Sequence, residues 1–113
     1  MTKRTVAIDM DGVLNTYTGW QGEDELFQPR ENVQQFLALL ASDWDVVIHT
    51  TRPPVKVRQW LKQHGLDGYV ADVTNVKPAA VAYVDDRALR FDGDYGAVLV
   101  ELSTFQPHWE KQR

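Results

Sequence analysis

Short apolar runs alternate with segments of helical spacing along the chain. Apolar residues recur at i, i+3, i+4 and i+7 within residues 30–42, which predicts an amphipathic helix there. The same spacing runs from Val57 to His64, and Gly65 stands where this second helix should end. Outside these helices, five apolar runs predict strands, at residues 5–8, 45–49, 69–73, 81–84 and 97–102.

Strands that alternate with helices usually form a parallel sheet with helices on both faces. The sequence therefore predicts an α/β fold: a single doubly wound, Rossmann-like domain over residues 1–113, with a central, mostly parallel five-stranded sheet flanked by helices. A chain of 113 residues has room for one such domain and is too short for two. The polar and aromatic segment 15–28, which we call the flap, is predicted to be a loop, and the tail 104–113 has no clear pattern.

Charge and composition exclude several classes of function. The formal net charge of −4 argues against broad, non-specific binding to nucleic acid, although it is compatible with a local basic groove. The absence of cysteine excludes disulfides, thiolate catalysis and cysteine-based zinc sites. Asp9 interrupts the apolar run after the basic N-terminus, so we predict no signal peptide, and no stretch approaches the roughly 20 apolar residues of a membrane span. We therefore expect a cytoplasmic protein with no membrane partner.

Two aspartates one residue apart, Asp9 and Asp11, follow the first apolar run and directly precede Gly12. Residues i and i+2 of a strand point to the same side, and glycine permits the backbone to turn just beyond it. The two carboxylates should therefore converge, although two such charges about 4 Å apart repel by roughly 4 kcal/mol at an effective dielectric of 20. A divalent cation or a shared proton would offset that repulsion.

Other polar residues follow later apolar runs. Thr50, Thr51 and Arg52 come after the second predicted strand, and the adjacent pair Asp85 and Asp86 comes after the fourth. Lys77 stands alone between the third and fourth strands. In parallel α/β sheets, ligands bind outside the carboxyl ends of the strands, near the point where strand order reverses. The sequence thus predicts one polar site at that edge.

These motifs, in this order over residues 5–87, resemble those of the haloacid dehalogenase (HAD) superfamily of phosphohydrolases. The segment from Asp9 to Val13 looks like the first motif of that family. The resemblance implies that Asp9 is a nucleophile that forms an aspartyl-phosphate and that Asp11 is the general acid/base. It further implies that Thr50 hydrogen-bonds a phosphoryl oxygen, and that Lys77 neutralises phosphoryl charge and holds the nucleophile in place.

The same resemblance implies a Mg²⁺ cofactor. Asp85 and Asp86 look like the fourth motif, so the implied metal-binding set is Asp9, Asp11, Asp85 and Asp86. Adjacent residues on an extended strand point in opposite directions. We therefore favour Asp86 as the direct ligand and place Asp85 in contact through water or lysine, unless a turn after Val84 lets both approach.

Three further residues are candidates for binding substrate: Thr51, Arg52 and Trp20. Arg52 could instead pair with an acid. The flap aromatics Tyr17, Trp20 and Phe27 could stack on a substrate ring or form a small satellite core. His49, His64 and His108 form no metal-ligand spacing and are predicted to be structural or solvated.

The resemblance also bounds the substrate. Larger members of the superfamily insert a cap domain, but segments 15–28 and 52–77 are too short to hold one, so a capless site is expected. An open site admits a phosphorylated small molecule, a nucleotide or the end of a nucleic acid. The predicted function is a Mg²⁺-dependent phosphatase that hydrolyses a phosphomonoester. The alternatives are a receiver-like phosphorylation switch and a domain that binds phosphate or metal without hydrolysis.

Overall fold

Four parallel strands form the central sheet in the computed structural model, which describes residues 3–110. They are β1 (Arg4–Asp9), β2 (Trp44–His49), β3 (Asp72–Thr74) and β4 (Ala82–Val84). The strands lie side by side in the order β3-β2-β1-β4. Successive strands move outward from β1 to β3, and β4 then returns to the other side of β1. The order of strands therefore reverses between β1 and β4.

Two helices follow the predicted pattern. They are α1 (Val33–Asp43) and α2 (Pro54–Gln63), and a short 3₁₀ turn (Asp67–Tyr69) precedes β3. Gly65 has a φ of 71°, and the amide of Leu66 donates to the Leu61 carbonyl at 2.8 Å. This hydrogen bond closes the end of α2 in the manner typical of a glycine-terminated helix, and it places Leu66 in the core.

The main core lies between the sheet and these two helices. Val6 and Ile8 of β1 and Val46 and Ile48 of β2 point to the same side of the sheet, because residues two apart on a strand share a face. They pack in one cluster with buried side chains of the helices, namely Val33, Leu37, Val57, Trp60 and Leu61. Burial of one such side chain contributes roughly 1.5–3 kcal/mol, so this cluster holds the carboxyl ends of β1 and β2 in fixed positions.

The predicted fifth strand is wrong. Residues 97–102 lie within a third helix, α3 (Tyr95–Thr104), so the described residues form a sheet of four strands rather than five. The Asp94 carboxylate accepts a hydrogen bond from the amide of Ala97 at 3.2 Å and so caps the start of this helix. A short apolar run fits a buried strand and a helix equally well, so this run alone did not distinguish the two.

The described residues thus form an α/β fold with a parallel sheet flanked by helices, as expected of a Rossmann-like domain. Residues 1, 2 and 111–113 lie outside the described part, so the ends of the predicted domain and of the predicted tail fall outside it as well. Within residues 3–110, none of the helices combines the length and apolar character that crossing a bilayer requires.

Candidate active site

The loop after β1 presents the two aspartates of the first motif. Met10 and Leu14 are fully buried, and the amide of Leu14 donates to the Met10 carbonyl at 2.9 Å, which anchors a tight turn in the core. Gly12 lies within this turn at a φ of 86°. A Cβ atom there would overlap the Asp86 carboxylate and lie 2.7 Å from its Cγ, so both the backbone conformation and the close approach require glycine.

Asn15 fixes the shape of this loop and was not among the predicted site residues. Its buried side-chain oxygen accepts hydrogen bonds from the amides of Gly12 at 2.9 Å and Tyr17 at 3.2 Å. Its nitrogen donates to Asp11 Oδ1 at 2.9 Å and to the Leu26 carbonyl at 3.0 Å. An asparagine at the start of a polar loop carries no pattern that separates it from an ordinary turn residue.

Three acidic side chains meet where the strand order reverses. Asp9 ends β1, and Asp85 and Asp86 follow β4. One carboxylate oxygen from each of the three residues lies within 4.8 Å of the oxygens from the other two. The backbone therefore brings both acids of the adjacent pair to the site. Burial, followed by the negative charge of Asp85, a hydrogen bond with the Asp86 side chain and the charges of Asp86 and Asp11, raises the pKa of Asp9 to about 8.

This acidic cluster fits a hard divalent cation. Asp9 Oδ2 and Asp86 Oδ1 are buried and have no hydrogen-bond partner among residues 3–110. Buried polar oxygens are normally paired or coordinate a metal, because leaving them without a partner is costly. Carboxylate oxygens are also the ligands that Mg²⁺ prefers, so the residues present fit the predicted cofactor.

The Asp11 carboxylate is held by hydrogen bonds from Arg52 and Asn15. Arg52 Nε donates to its two oxygens at 3.0 and 2.9 Å, and the Arg52 side chain is fully buried. Arg52 also donates to the Glu23 carbonyl at 3.2 Å, so one guanidinium joins the first motif to the flap. Of the two roles open to Arg52, the structure shows pairing with an acid. The Asp11 carboxylate is not among the oxygens of the acidic cluster, and its predicted roles as acid/base and as metal ligand stay predictions.

Thr50 lies at the end of β2, beside the loop that carries Asp11. It is buried, and its Oγ1 accepts a hydrogen bond from the amide of Arg52 at 3.1 Å. The hydroxyl hydrogen of Thr50 is not used in this bond, so it can be donated to a phosphoryl oxygen. Thr51 is exposed, and its predicted contact with substrate stays a prediction.

Lys77 lies beside Tyr83, and its predicted contact with the nucleophile stays a prediction. Its Nζ is 4.8 Å from the centroid of the Tyr83 ring, and within residues 3–110 it makes no ion pair with Asp9. Lys77 does line an open groove of about 890 Å³ together with Asp85, His49 and Arg90. It therefore borders the acidic cluster on the β4 side, where it could approach a phosphoryl group.

The flap is pinned to the body of the protein. The segment is closed by a bridge between Asn15 and Pro29. Tyr17 is buried and packs edge-to-face on Phe27 at 5.4 Å between ring centroids. Trp20 is 61% exposed and stands over the buried Arg52 guanidinium at 5.1 Å. Of the three flap aromatics, Trp20 is thus the one that presents a ring to solvent at the site.

The tail returns to the site, which the sequence analysis did not predict. His108 Nε2 forms a hydrogen bond with the Gly12 carbonyl at 2.7 Å, and Trp109 Nε1 donates to Asp86 Oδ2 at 2.6 Å. These partners lie 96 and 23 residues apart in the chain, and no local pattern indicates such contacts. His108 was predicted to be structural or solvated, and its hydrogen bond places it against the loop that carries the first motif.

Comparison with known proteins is consistent with this fold and motif order. The family described as the HAD domain in Swiss Army Knife RNA repair proteins has a model that matches residues 5–94. No curated protein matches the chain.

A solved structure described as "Structure of the conserved protein coded by locus from Bacteroides thetaiotaomicron" is similar, with a TM-score of 0.61 and 15% identity. The match covers 99% of this chain and 99% of that chain, and at this identity it shows the fold alone. The small size of the chain fits a capless member of the HAD superfamily, and membership supports an enzyme of the phosphatase or hydrolase type in general. On the evidence of the matched family model, the chain belongs to the family of HAD domains in Swiss Army Knife RNA repair proteins.

Proposed function

We propose that this protein is a Mg²⁺-dependent phosphatase that hydrolyses a phosphomonoester through an aspartyl-phosphate on Asp9. The observation that carries the proposal is the acidic cluster at the strand-order reversal, with unpaired, buried oxygens on Asp9 and Asp86. Family membership adds independent support, because it indicates a phosphohydrolase-type enzyme.

Asp9 is the residue suited to attack phosphorus. In the first step, a carboxylate oxygen of Asp9 bonds to phosphorus while the bond from phosphorus to the ester oxygen breaks. In the second step, water bonds to phosphorus and the bond to Asp9 breaks, which frees the carboxylate and inorganic phosphate. Attack requires the ionised carboxylate, yet the raised pKa of Asp9 favours its protonated form near neutral pH. A cation in the cluster would lower that pKa and so supply the reactive form.

Asp11 is the proton carrier in this scheme. It gives a proton to the leaving ester oxygen in the first step and takes one from the attacking water in the second. The hydrogen bonds from Arg52 and Asn15 hold its carboxylate in a fixed orientation next to the nucleophile's loop. Such positioning lowers the conformational entropy that the Asp11 side chain must lose to reach the reacting oxygens.

The remaining groups stabilise charge. Thr50 can donate its hydroxyl hydrogen to a phosphoryl oxygen, and Lys77 can bring positive charge from the adjoining groove. Mg²⁺ bound by Asp9 and Asp86, with Asp85 directly or through water, would neutralise the acidic cluster and the negative charge of the phosphoryl group.

The proposed substrate class is a nucleotide or the phosphorylated end of a polynucleotide. The matched family is described by its occurrence in RNA repair proteins, and the exposed ring of Trp20 beside the site offers a surface on which a base can stack. A phosphorylated small molecule is the competing class, since the open site does not exclude one.

Phosphate release from a panel of substrates tests both the activity and its class. The panel should hold an aryl phosphate, sugar phosphates, mononucleotides and oligoribonucleotides phosphorylated at the 3′ or the 5′ end, all at fixed Mg²⁺. The proposal predicts release from the aryl phosphate and a much higher kcat/KM for one of the nucleic-acid substrates. No release from any member of the panel would support the receiver-like or non-hydrolytic alternative instead.

A further inference from the structure

We infer that Trp109 is a positioning residue that sets the Asp86 carboxylate for metal binding, and that the C-terminal turn 107–110 acts as a clamp on the site. The inference rests on the proposed metal-dependent function. Its central observation is the hydrogen bond from Trp109 Nε1 to Asp86 Oδ2 at 2.6 Å. With Oδ2 engaged, the buried and unpaired Oδ1 is the oxygen left for a cation.

The clamp touches both halves of the site. While Trp109 holds Asp86 in the loop after β4, His108 binds the carbonyl of Gly12 in the loop after β1 at 2.7 Å. The position of a Cβ on Gly12 would lie 3.1 Å from Trp109 Cδ1 and would overlap the Asp86 carboxylate. Gly12, Asp86 and Trp109 are therefore close neighbours, and the turn makes hydrogen bonds to both loops.

The turn itself is well anchored. Pro107 is buried, and the amide of Glu110 donates to its carbonyl at 3.0 Å, which closes the turn. The Trp109 ring packs edge-to-face on Tyr17 at 5.0 Å, so the clamp also rests on the base of the flap. These contacts fix the indole, and a fixed donor restricts the Asp86 side chain to one orientation.

Residues that hydrogen-bond a metal ligand tune the affinity of the site. Loss of such a partner typically weakens metal binding or activity about 10- to 100-fold, because the ligand must then be ordered by the metal itself. The clamp lies outside residues 5–94, the part of the chain that the family model matches, so it is a feature of this chain beyond that match.

The decisive variant is Trp109→Phe, which keeps an aromatic ring against Tyr17 and removes the N–H donor. Trp44→Phe is the matched control, because Trp44 begins β2 at the opposite edge of the sheet from the site. Mg²⁺ affinity is measured by calorimetry without substrate, alongside the melting temperature of each metal-free protein. Trp109→Phe should weaken Mg²⁺ binding about 10- to 100-fold, and raised Mg²⁺ should restore most of kcat, whereas Trp44→Phe should bind Mg²⁺ as the wild type does.

A second variant covers the case in which Trp109→Phe fails to fold. His108→Ala releases the same turn from Gly12 and leaves the indole intact, so it should also weaken Mg²⁺ binding. In an Asp86→Asn background, Trp109→Phe should have no further effect on Mg²⁺ affinity, since its target carboxylate is gone.

The outcomes separate the clamp from the proposed function. Unchanged Mg²⁺ affinity in both Trp109→Phe and His108→Ala would overturn the clamp while leaving a metal-dependent phosphatase intact. If these variants weaken Mg²⁺ affinity but the wild-type protein releases no phosphate from any substrate, the clamp is supported and the phosphatase is rejected. A wild-type protein that binds no Mg²⁺ at millimolar concentration would overturn both.

Discussion

Removal of the Asp11 charge should destabilise the protein as well as inactivate it. Asp11 pairs with Nε of the fully buried Arg52 guanidinium, and Arg52 Nη2 has no hydrogen-bond partner among the described residues. The variant Asp11→Asn keeps the shape of the side chain but leaves that buried cation without a counter-charge. The structure therefore predicts a large loss of folding free energy at a residue that the sequence assigns to catalysis.

The size of this loss follows from burial. Breaking a buried ion pair by removal of one partner costs about 3–5 kcal/mol, because the remaining charge is neither solvated nor paired. The Asp11 side chain is 12% exposed, so the lower end of that range applies, at about 3 kcal/mol. For a small domain, such a loss corresponds to a fall in melting temperature of roughly 12–24 °C.

Thermal and urea denaturation provide the assay, and the chain offers a matched control. Asp72 pairs with Arg58 at 2.6 Å, but both side chains are more than half exposed. The same substitution there, Asp72→Asn, should leave the melting temperature almost unchanged, since exposed ion pairs contribute little to stability. If Asp11→Asn melts within 2–3 °C of the wild type, roughly the effect of less than 1 kcal/mol, the reasoning about the buried pair is refuted.

Four further predictions follow from the site. In metal-free protein, the free energy of unfolding should fall as pH rises from about 4 to about 8, because the raised pKa of Asp9 means that the folded state binds more protons than the unfolded state in that window. Mg²⁺ should flatten this profile, and a profile that is already flat without metal would contradict the proposal. Asp9→Asn should retain less than about 1% of turnover, a barrier increase of roughly 2.7 kcal/mol, and its far-ultraviolet circular dichroism should match that of the wild type; higher residual turnover would remove Asp9 as the nucleophile. Gly12→Ala should lose Mg²⁺ binding, because the new methyl group overlaps the Asp86 carboxylate. Gly22→Ala should keep it, because φ is also positive at Gly22 but the surrounding space is open. Equal Mg²⁺ affinity in the two variants would contradict the close approach of Gly12 and Asp86. Trp20→Ala should lower kcat/KM for an oligonucleotide far more than for an aryl phosphate, with little change in melting temperature because the ring is exposed; an unchanged preference between the two substrates would rule out stacking on Trp20.

The elements that carry the acidic cluster were predictable because their signals are local. Residues such as Val6 and Ile8 form apolar runs that end in polar groups, and a parallel arrangement brings the ends of such strands to one edge. The convergence of Asp9 with Asp85 and Asp86 follows from that rule, although the sequence alone does not show that both members of the adjacent pair reach the cluster.

Two features escaped prediction for different physical reasons. All residues of the run 97–102 except Glu101 are apolar, so its pattern does not distinguish a strand from a helix. The cap that Asp94 provides favours the helix α3. Leu99 and Val100 remain 69% and 71% exposed in that helix, so burial did not select its structure. The contacts of His108 and Trp109 depend on the tertiary fold, since nothing near them in the sequence indicates which distant loop they approach.

The pairing of Arg52 shows the limit of assigning roles from motifs. Its position after Thr50 was equally compatible with substrate binding and with pairing to an acid, because both use the same planar, charged guanidinium group. The packing of the flap buries the guanidinium between Glu23 and Asp11 and so shows the pairing, whereas contact with substrate stays a prediction. Sequence motifs locate such a residue at the site, but the fold determines what it holds.

Direct detection of a phosphorylated Asp9 tests the central claim. The wild-type protein turns over an aryl phosphate in Mg²⁺, the reaction is stopped in the steady state with borohydride, and peptide mass spectrometry identifies the reduced residue. The proposed mechanism predicts conversion of Asp9 to homoserine. This conversion should depend on substrate and be abolished by a chelator. Steady turnover with an unmodified Asp9, or with the modification on another residue, would contradict it.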